Sequence, residues 1–268
     1  MKITLPAIDR RRKWIAAALW YVAFSAIYTF TGRFHMRPPA LFELWAPDRL
    51  IPFIDWTIWV YASQYLLLYG CFLGVNSAQG ISRLVYAISM ASLLAFCAFL
   101  IYPTEFPRGI TVDAGASAFA FRFLYSIDSA TNCFPSLHVA LAWLSALSLR
   151  DERKKPGAMA MLWAALISIS TLTTKQHYFV DMVGGGGLAL LCRWLIGKLG
   201  AAQLWSECKA NHCMSPIISM DNTEATVDGE IPGGMQPPSA TVAGNPDTKR
   251  GSIPPNPHLV LTSPNQVR

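Results

Sequence analysis

Charged side chains are scarce in this sequence. Asp, Glu, Lys and Arg make up 14% of its 268 residues, whereas 53% are hydrophobic, and the mean hydropathy is +0.32. So little charge cannot clothe a soluble domain of this length, and the balance is that of an integral membrane protein. No internal repeat is apparent. No small-residue cleavage site follows the first apolar run, which begins after Arg10-Arg11-Arg12-Lys13 and continues too far for a secretory signal peptide. It is expected to remain as an uncleaved first span. Of the six cysteines, Cys71, Cys97 and Cys192 lie inside apolar stretches, and no spacing marks a disulfide framework. Cys208 and Cys213 flank His212, too few ligands for a zinc site. The net charge of +6 does not point to nucleic acid, because the basic residues cluster beside apolar runs, as topology signals do.

What is present is a series of long apolar runs. A hydrocarbon core of about 30 Å takes about 20 helical residues. That yardstick predicts six spans, approximately Trp14–Phe30, Ile51–Leu73, Leu84–Tyr102, Pro135–Leu149, Ala158–Thr174 and Phe179–Leu199. The fold class is therefore all-α and polytopic. Lys2, Arg10 to Lys13, Arg83, Arg150, Arg153 to Lys155 and Lys198 fall on one side of these spans. They outnumber Arg33, Arg37, Arg49, Arg108, Arg122 and Lys175 on the other, so both termini are expected in the cytoplasm. From Ala201 onward, half of the chain's 18 prolines gather with Gly, Ser, Asn and Thr and little periodicity, which predicts a disordered tail over residues 201–268 behind a membrane domain over 1–200.

Two polar segments stand at the expected outer ends of spans. In Phe134-Pro135-Ser136-Leu137-His138, Pro and Ser favour a helix start, whose free amides and positive dipole end attract phosphate-like anions. His138 sits one turn in, able to move a proton near neutral pH. In His177-Tyr178-Phe179-Val180-Asp181 the i, i+4 spacing puts His177 and Asp181 on one helix face, so the carboxylate can fix the imidazole tautomer and leave the other nitrogen as nucleophile or base. Lys175 lies two residues upstream, and Arg108 belongs to the long outer loop Pro103–Cys133. Two histidines, a carboxylate and two cations suit phosphoryl transfer, which needs a nucleophile, a proton donor and positive charge on the equatorial oxygens. The run Gly184 to Gly187 reads first as a close-packing surface between helices.

These segments, FPSLHVA at Phe134 to Ala140 and HYFVDMVG at His177 to Gly184, resemble the type 2 phosphatidic acid phosphatase superfamily, and within it the inositol phosphorylceramide synthase branch, over about Tyr102 to Leu190. The resemblance implies that His177 is a nucleophile that becomes phosphohistidine, that Asp181 orients it and that His138 protonates the leaving group. It also implies that Arg108 and Ser136 hold phosphate oxygens. Departures from the family pattern are Ile101 at the first motif's Lys position, Gly109 at its Pro and Thr171, after Ser170, at the third motif's Arg. Lys175 is the candidate replacement for one missing cation.

The expected activity is a lipid phosphatase or phosphotransferase on a phospholipid head group, with no metal or other cofactor and with membrane lipid, not nucleic acid, as partner. The acceptor stays open between water and a lipid or polyol hydroxyl. Two alternatives stand beside it: a zinc hydrolase using His138, His177 and Asp181 as ligands, and a non-catalytic lipid-binding or transport protein.

Overall fold

The computed structural model describes residues 5–108, 112 and 114–212, and side chains up to residue 199. The chain is mostly helical: α1 (Arg12–Thr31), α2 (Ala46–Leu50), α3 (Ile58–Ala62), α4 (Gln64–Gly74), α5 (Ala78–Ile101), α6 (Gly115–Ile127), α7 (Leu137–Glu152), α8 (Lys154–Thr173) and α9 (Phe179–His212). Two short strands, β1 (Ala40–Leu41) and β2 (Thr104–Glu105), pair in parallel.

Four helices are long and apolar enough to cross a membrane: α1, α5, α8 and the Phe179–Leu199 part of α9. The second expected span is not one helix. Its first residues form the extended end of α2 and a 3₁₀ turn at Asp55–Thr57, and the remainder is split at Ser63 between α3 and α4. The Ser63 hydroxyl donates to the Val60 carbonyl and accepts from the Trp163 indole of α8. The fourth expected span is α7, of 16 residues, short for a crossing but the hub of the fold. It packs on α4, α5, α8 and α9 through Ala140, Leu141, Leu144, Ala146 and Leu149, which are all buried. α1 behaves oppositely, with Trp14, Ile15, Leu19 and Val22 exposed. In water such a stripe would be a liability, whereas hydrocarbon solvates it.

One further expectation is corrected: the loop Pro103–Cys133 contains the helix α6, whose Phe121 packs with Ile58 and Tyr61 of α3. The backbone of α9 is helical to His212. The rest of the expected tail, and the side chains of Cys208, His212 and Cys213, lie outside the described residues.

One end of the bundle is tied together by its loops. β1 joins β2, Thr104 bridges to Asn132, and the Phe134 amide donates to Thr104 Oγ1 at 2.8 Å. The Ile54 amide donates to the Thr173 carbonyl at 2.9 Å. The segments carrying Arg108, His138 and His177 therefore meet at this end.

Candidate active site

The site is built on two helix starts. Ser136 is the N-cap of α7 and its hydroxyl accepts from the Val139 amide, at the long limit of 3.5 Å, as a Ser before an apolar run predicts. Pro135 stays outside the helix, which opens at Leu137. At the second start, α9 begins at Phe179, so His177 precedes the helix and does not share its face with Asp181 as the spacing predicted. The two meet through a turn. The His177 amide donates to the Thr171 carbonyl, and Asp181 Oδ2 accepts from the Tyr178 amide at 2.8 Å. Asp48 Oδ1 accepts from the Phe179 amide at 2.7 Å, so two carboxylates serve this helix start.

Glycine brings the starts together. A Cβ on Gly185 would collide with the Ser136 carbonyl oxygen, and one on Gly184 would reach 2.6 Å from the Phe134 ring. The Ser136 amide donates to the Asp181 carbonyl across this contact at 3.1 Å. Gly186 and Gly187 face open space, so only the first half of the glycine run is required by packing.

His177 Nδ1 lies 3.4 Å from Asp181 Oδ2, and the side chains are 5% and 0% exposed. The two side chains are adjacent but misaligned for a hydrogen bond: His177 Nδ1 and Asp181 Oδ1 have no hydrogen-bond partner among the described residues. The His138 ring stands 5.9 Å from that of His177, centroid to centroid. Its other face stacks on Tyr61 at 4.2 Å, and Tyr61 Oη lies 3.2 Å from His138 Nδ1. Both histidines line one narrow cleft with Arg108, Asp128, Cys133 and Gln176.

The cations are fewer than expected. Arg108 donates to the Asp128 carbonyl at 3.0 Å and to Asp128 Oδ2 at 3.3 Å, with its guanidinium 4.4 Å from the Tyr125 ring centre. Asp128 Oδ1 also accepts from the Tyr28 hydroxyl. Burial raises the Asp128 carboxyl above its ordinary value, against the Tyr28 hydroxyl and Arg108, which lower it. Lys175 is directed elsewhere. Its backbone has φ +54°, and its ammonium donates to the Asp48 and Ile51 carbonyls at 2.8 and 2.6 Å. Burial lowers its pKa, and Asp48 partly offsets this. Neither Lys175 nor the fully buried Ser136 lines the cleft. Ile101 is 58% exposed at the end of α5, so the position resembling the first motif's Lys does not face the cleft either.

Sequence reasoning missed Asp128, Tyr28 and Tyr61. Each belongs to a segment whose local pattern is only apolar or loop-like, so no nearby signal marked them. A metal could be held here by Cys133, His177 and Asp181, whose ligand atoms all lie within 4.8 Å of one another. His138 is not in that set, so the donor trio differs from the one the sequence suggested.

Two apolar cavities lead away from the cleft, one beyond the other. One of about 380 Å³ runs from His138 and Asp128 between α1, α4 and α6, and a second of about 260 Å³ continues between α1, α4 and α5, sharing Trp20, Tyr21, Tyr65 and Leu68. A larger cavity, about 640 Å³, opens beside Arg83, Glu152 and Lys198 at the other end of α7 and has none of the cleft's residues in its lining. Size and chemistry disagree, and chemistry decides: the larger space contains no histidine and no thiol among its lining residues. A family model described as the PAP2 superfamily matches residues 25–195. No curated protein matches the chain.

Proposed function

Since the chain belongs to the PAP2 superfamily, we propose that it is a membrane enzyme that transfers a phosphoryl or phosphodiester group of a lipid through a covalent phosphohistidine. The observation that carries this reading is the meeting of a carboxylate-paired His177 with His138 in one cleft, continuous with apolar space among membrane-spanning helices. With Nδ1 turned to Asp181, the lone pair of His177 Nε2 attacks phosphorus. The N–P bond forms as the bond to the leaving oxygen breaks. As the imidazolium, His138 donates its Nδ1–H to the Tyr61 oxygen and passes its Nε2 proton to the leaving oxygen, which leaves a neutral imidazole. In the second half an acceptor hydroxyl or water gives its proton to His138 and attacks phosphorus, and His177 departs. Arg108 and the free amides at the start of α7 hold the equatorial oxygens.

Charge narrows the substrate. The cleft offers one guanidinium already shared with Asp128, and no second cation among its lining residues. A phosphodiester carries one negative charge, whereas a phosphomonoester approaches two, so the electrostatics favour a diester donor and transfer of a head-group phosphate to a hydroxyl. This agrees with the resemblance to the inositolphosphotransferase branch without identifying inositol. The test is a panel of labelled phospholipids, phosphatidate included, given to purified protein with and without polyol and lipid hydroxyl acceptors. New phosphodiester products are expected; release of phosphate from phosphatidate alone would make the protein a phosphatase.

In this reading α1, α3 with α4, α5, α7, α8 and α9 are the six crossings, both termini are cytoplasmic and the cleft faces outward. Single cysteines at exposed Met36 and Lys155, in a background free of native thiols, should react with impermeant reagent from outside and inside respectively. The reverse pattern would invert the topology. Gly157 is unsuitable for such a label, because a side chain there would collide with the Arg150 backbone.

A further inference from the structure

We infer that Cys133, His177 and Asp181 form an inhibitory site for a thiophilic divalent cation such as Zn²⁺ or Cd²⁺, which captures the candidate nucleophile. The inference rests on the reading of His177 as that nucleophile. Three separate elements supply the donors: Cys133 comes from the segment before α7, His177 from the turn between α8 and α9, and Asp181 from the first turn of α9. All three are buried, and their ligand atoms lie within 4.8 Å of one another, a spread that small side-chain movements close to tetrahedral coordination.

An independent observation points to a missing occupant. His177 Nδ1 and Asp181 Oδ1 are buried without a hydrogen-bond partner among the described residues. Unpartnered buried polar atoms are costly, and native structures rarely retain them without a reason. The Cys133 thiol donates to the Ala130 carbonyl at 3.1 Å and lies 3.9 Å from that of Gln176. One sulfur, one imidazole nitrogen and one carboxylate oxygen suit zinc or cadmium rather than magnesium or calcium, which prefer all-oxygen shells. The thiolate and carboxylate together neutralise a dication, and the fourth position can face the cleft and take water. Arg108, the cation in that cleft, is held by Asp128 and does not leave an unbalanced positive charge beside the metal.

Binding converts the thiol to a metal thiolate and releases its proton to solvent. Because the metal occupies the His177 region, it should compete with the phospholipid.

The experiment uses chelator-treated full-length protein in which Cys133 is the only cysteine retained, titrated with Cd²⁺. The readouts are the ultraviolet thiolate-to-cadmium charge-transfer band and turnover of the phospholipid donor. The band should appear, should vanish in Cys133→Ala and Cys133→Ser, and should need at least ten-fold more Cd²⁺ in His177→Ala and Asp181→Asn. In the Cys133 variants Cd²⁺ should lose at least ten-fold in inhibitory potency, each read against that variant's own metal-free turnover. Equal inhibition with and without Cys133 would overturn the inference, as would a band indifferent to His177 and Asp181. Loss of turnover on chelation, restored by Zn²⁺, would also overturn it and make the metal catalytic. Should no phospholipid be turned over, the proposed reaction fails, yet the band still reads the metal site by itself.

Discussion

At each end of α7 a carboxylate stands at a helix start, Glu152 of α7 at that of α5 and Asp181 at that of its own helix α9, and the two are used differently. At one end Glu152 accepts from the Asn76 amide, the Ser77 amide and the Ser77 hydroxyl, so both of its oxygens are engaged in holding the start of α5. At the other end Asp181 gives one oxygen to the Tyr178 amide, and the other has no hydrogen-bond partner among the described residues, like His177 Nδ1 opposite. A carboxylate whose oxygens are all satisfied is part of the scaffold. One left half satisfied next to an imidazole is held ready for something else, and the difference separates architecture from chemistry within a single fold.

The sharpest way to break that contrast is to exchange the phenotypes. His177→Ala should abolish both turnover and any acid-labile, base-stable label left by a phosphate-labelled donor, while thermal unfolding stays close to that of the parent. Glu152→Gln should do the reverse, lowering stability by about 1–2 kcal/mol through a weakened cap and charged hydrogen bonds while leaving kcat nearly unchanged. Turnover lost in Glu152→Gln with unaltered melting would erase the distinction between the two ends.

His138 should come next in size. Removing a general acid typically costs 10²- to 10⁴-fold, and an activated leaving group that needs no proton should recover much of the loss. If His138→Ala instead eliminates the covalent label whatever the leaving group, the roles of the two histidines are exchanged.

Smaller again is the effect of the glycine contact. Gly185→Ala would push α9 away from the Ser136 carbonyl, and a displacement near 1 Å at a reacting pair is worth on the order of 10²-fold in rate. Gly186→Ala and Gly187→Ala enter open space and, as helix interior positions, should be neutral or stabilising by up to about 1 kcal/mol. Equal losses at all four glycines would point to helix flexibility rather than close approach.

The parts legible in the sequence were those with local causes. The helix starts at Ser136 and near Asp181, the apolar runs and the packing role of Gly184 and Gly185 all follow from residue type and spacing. What was illegible depended on distant segments. Ser63 breaks the second run because its hydroxyl is engaged by the Val60 carbonyl and by Trp163 of α8. Lys175 looks available beside His177 in one dimension, yet its positive φ and the Asp48 and Ile51 carbonyls turn it away. Asp128 becomes part of the cleft only because the loop after β2 brings Arg108 to it. The helix α6 was hidden inside a loop whose ends carried the conspicuous motifs.

The last prediction sharpens the contrast at Asp128, a carboxylate between the two extremes: it is fully partnered but sits in the cleft. Burial raises its pKa in the folded protein, so the native state holds the proton more tightly than the unfolded chain does. The ionised group therefore weighs against folding at neutral pH, and that penalty fades as pH falls through the folded value. The functional sign is the same. On protonation Asp128 loosens its hold on Arg108, and the guanidinium becomes free for the donor phosphate. KM for a phosphodiester, whose own charge does not change in this range, should fall as the medium is acidified. Asp128→Asn should show a low KM throughout with a flattened pH profile, a change of about five-fold if the pair is worth roughly 1 kcal/mol. Tyr28→Phe removes a hydroxyl that holds the Asp128 pKa down, so the fall in KM should move to higher pH. A KM that rises on acidification in the parent, or stays pH-dependent in Asp128→Asn, would mean that Asp128 is scaffold like Glu152 and that Arg108 is not the phosphate's partner.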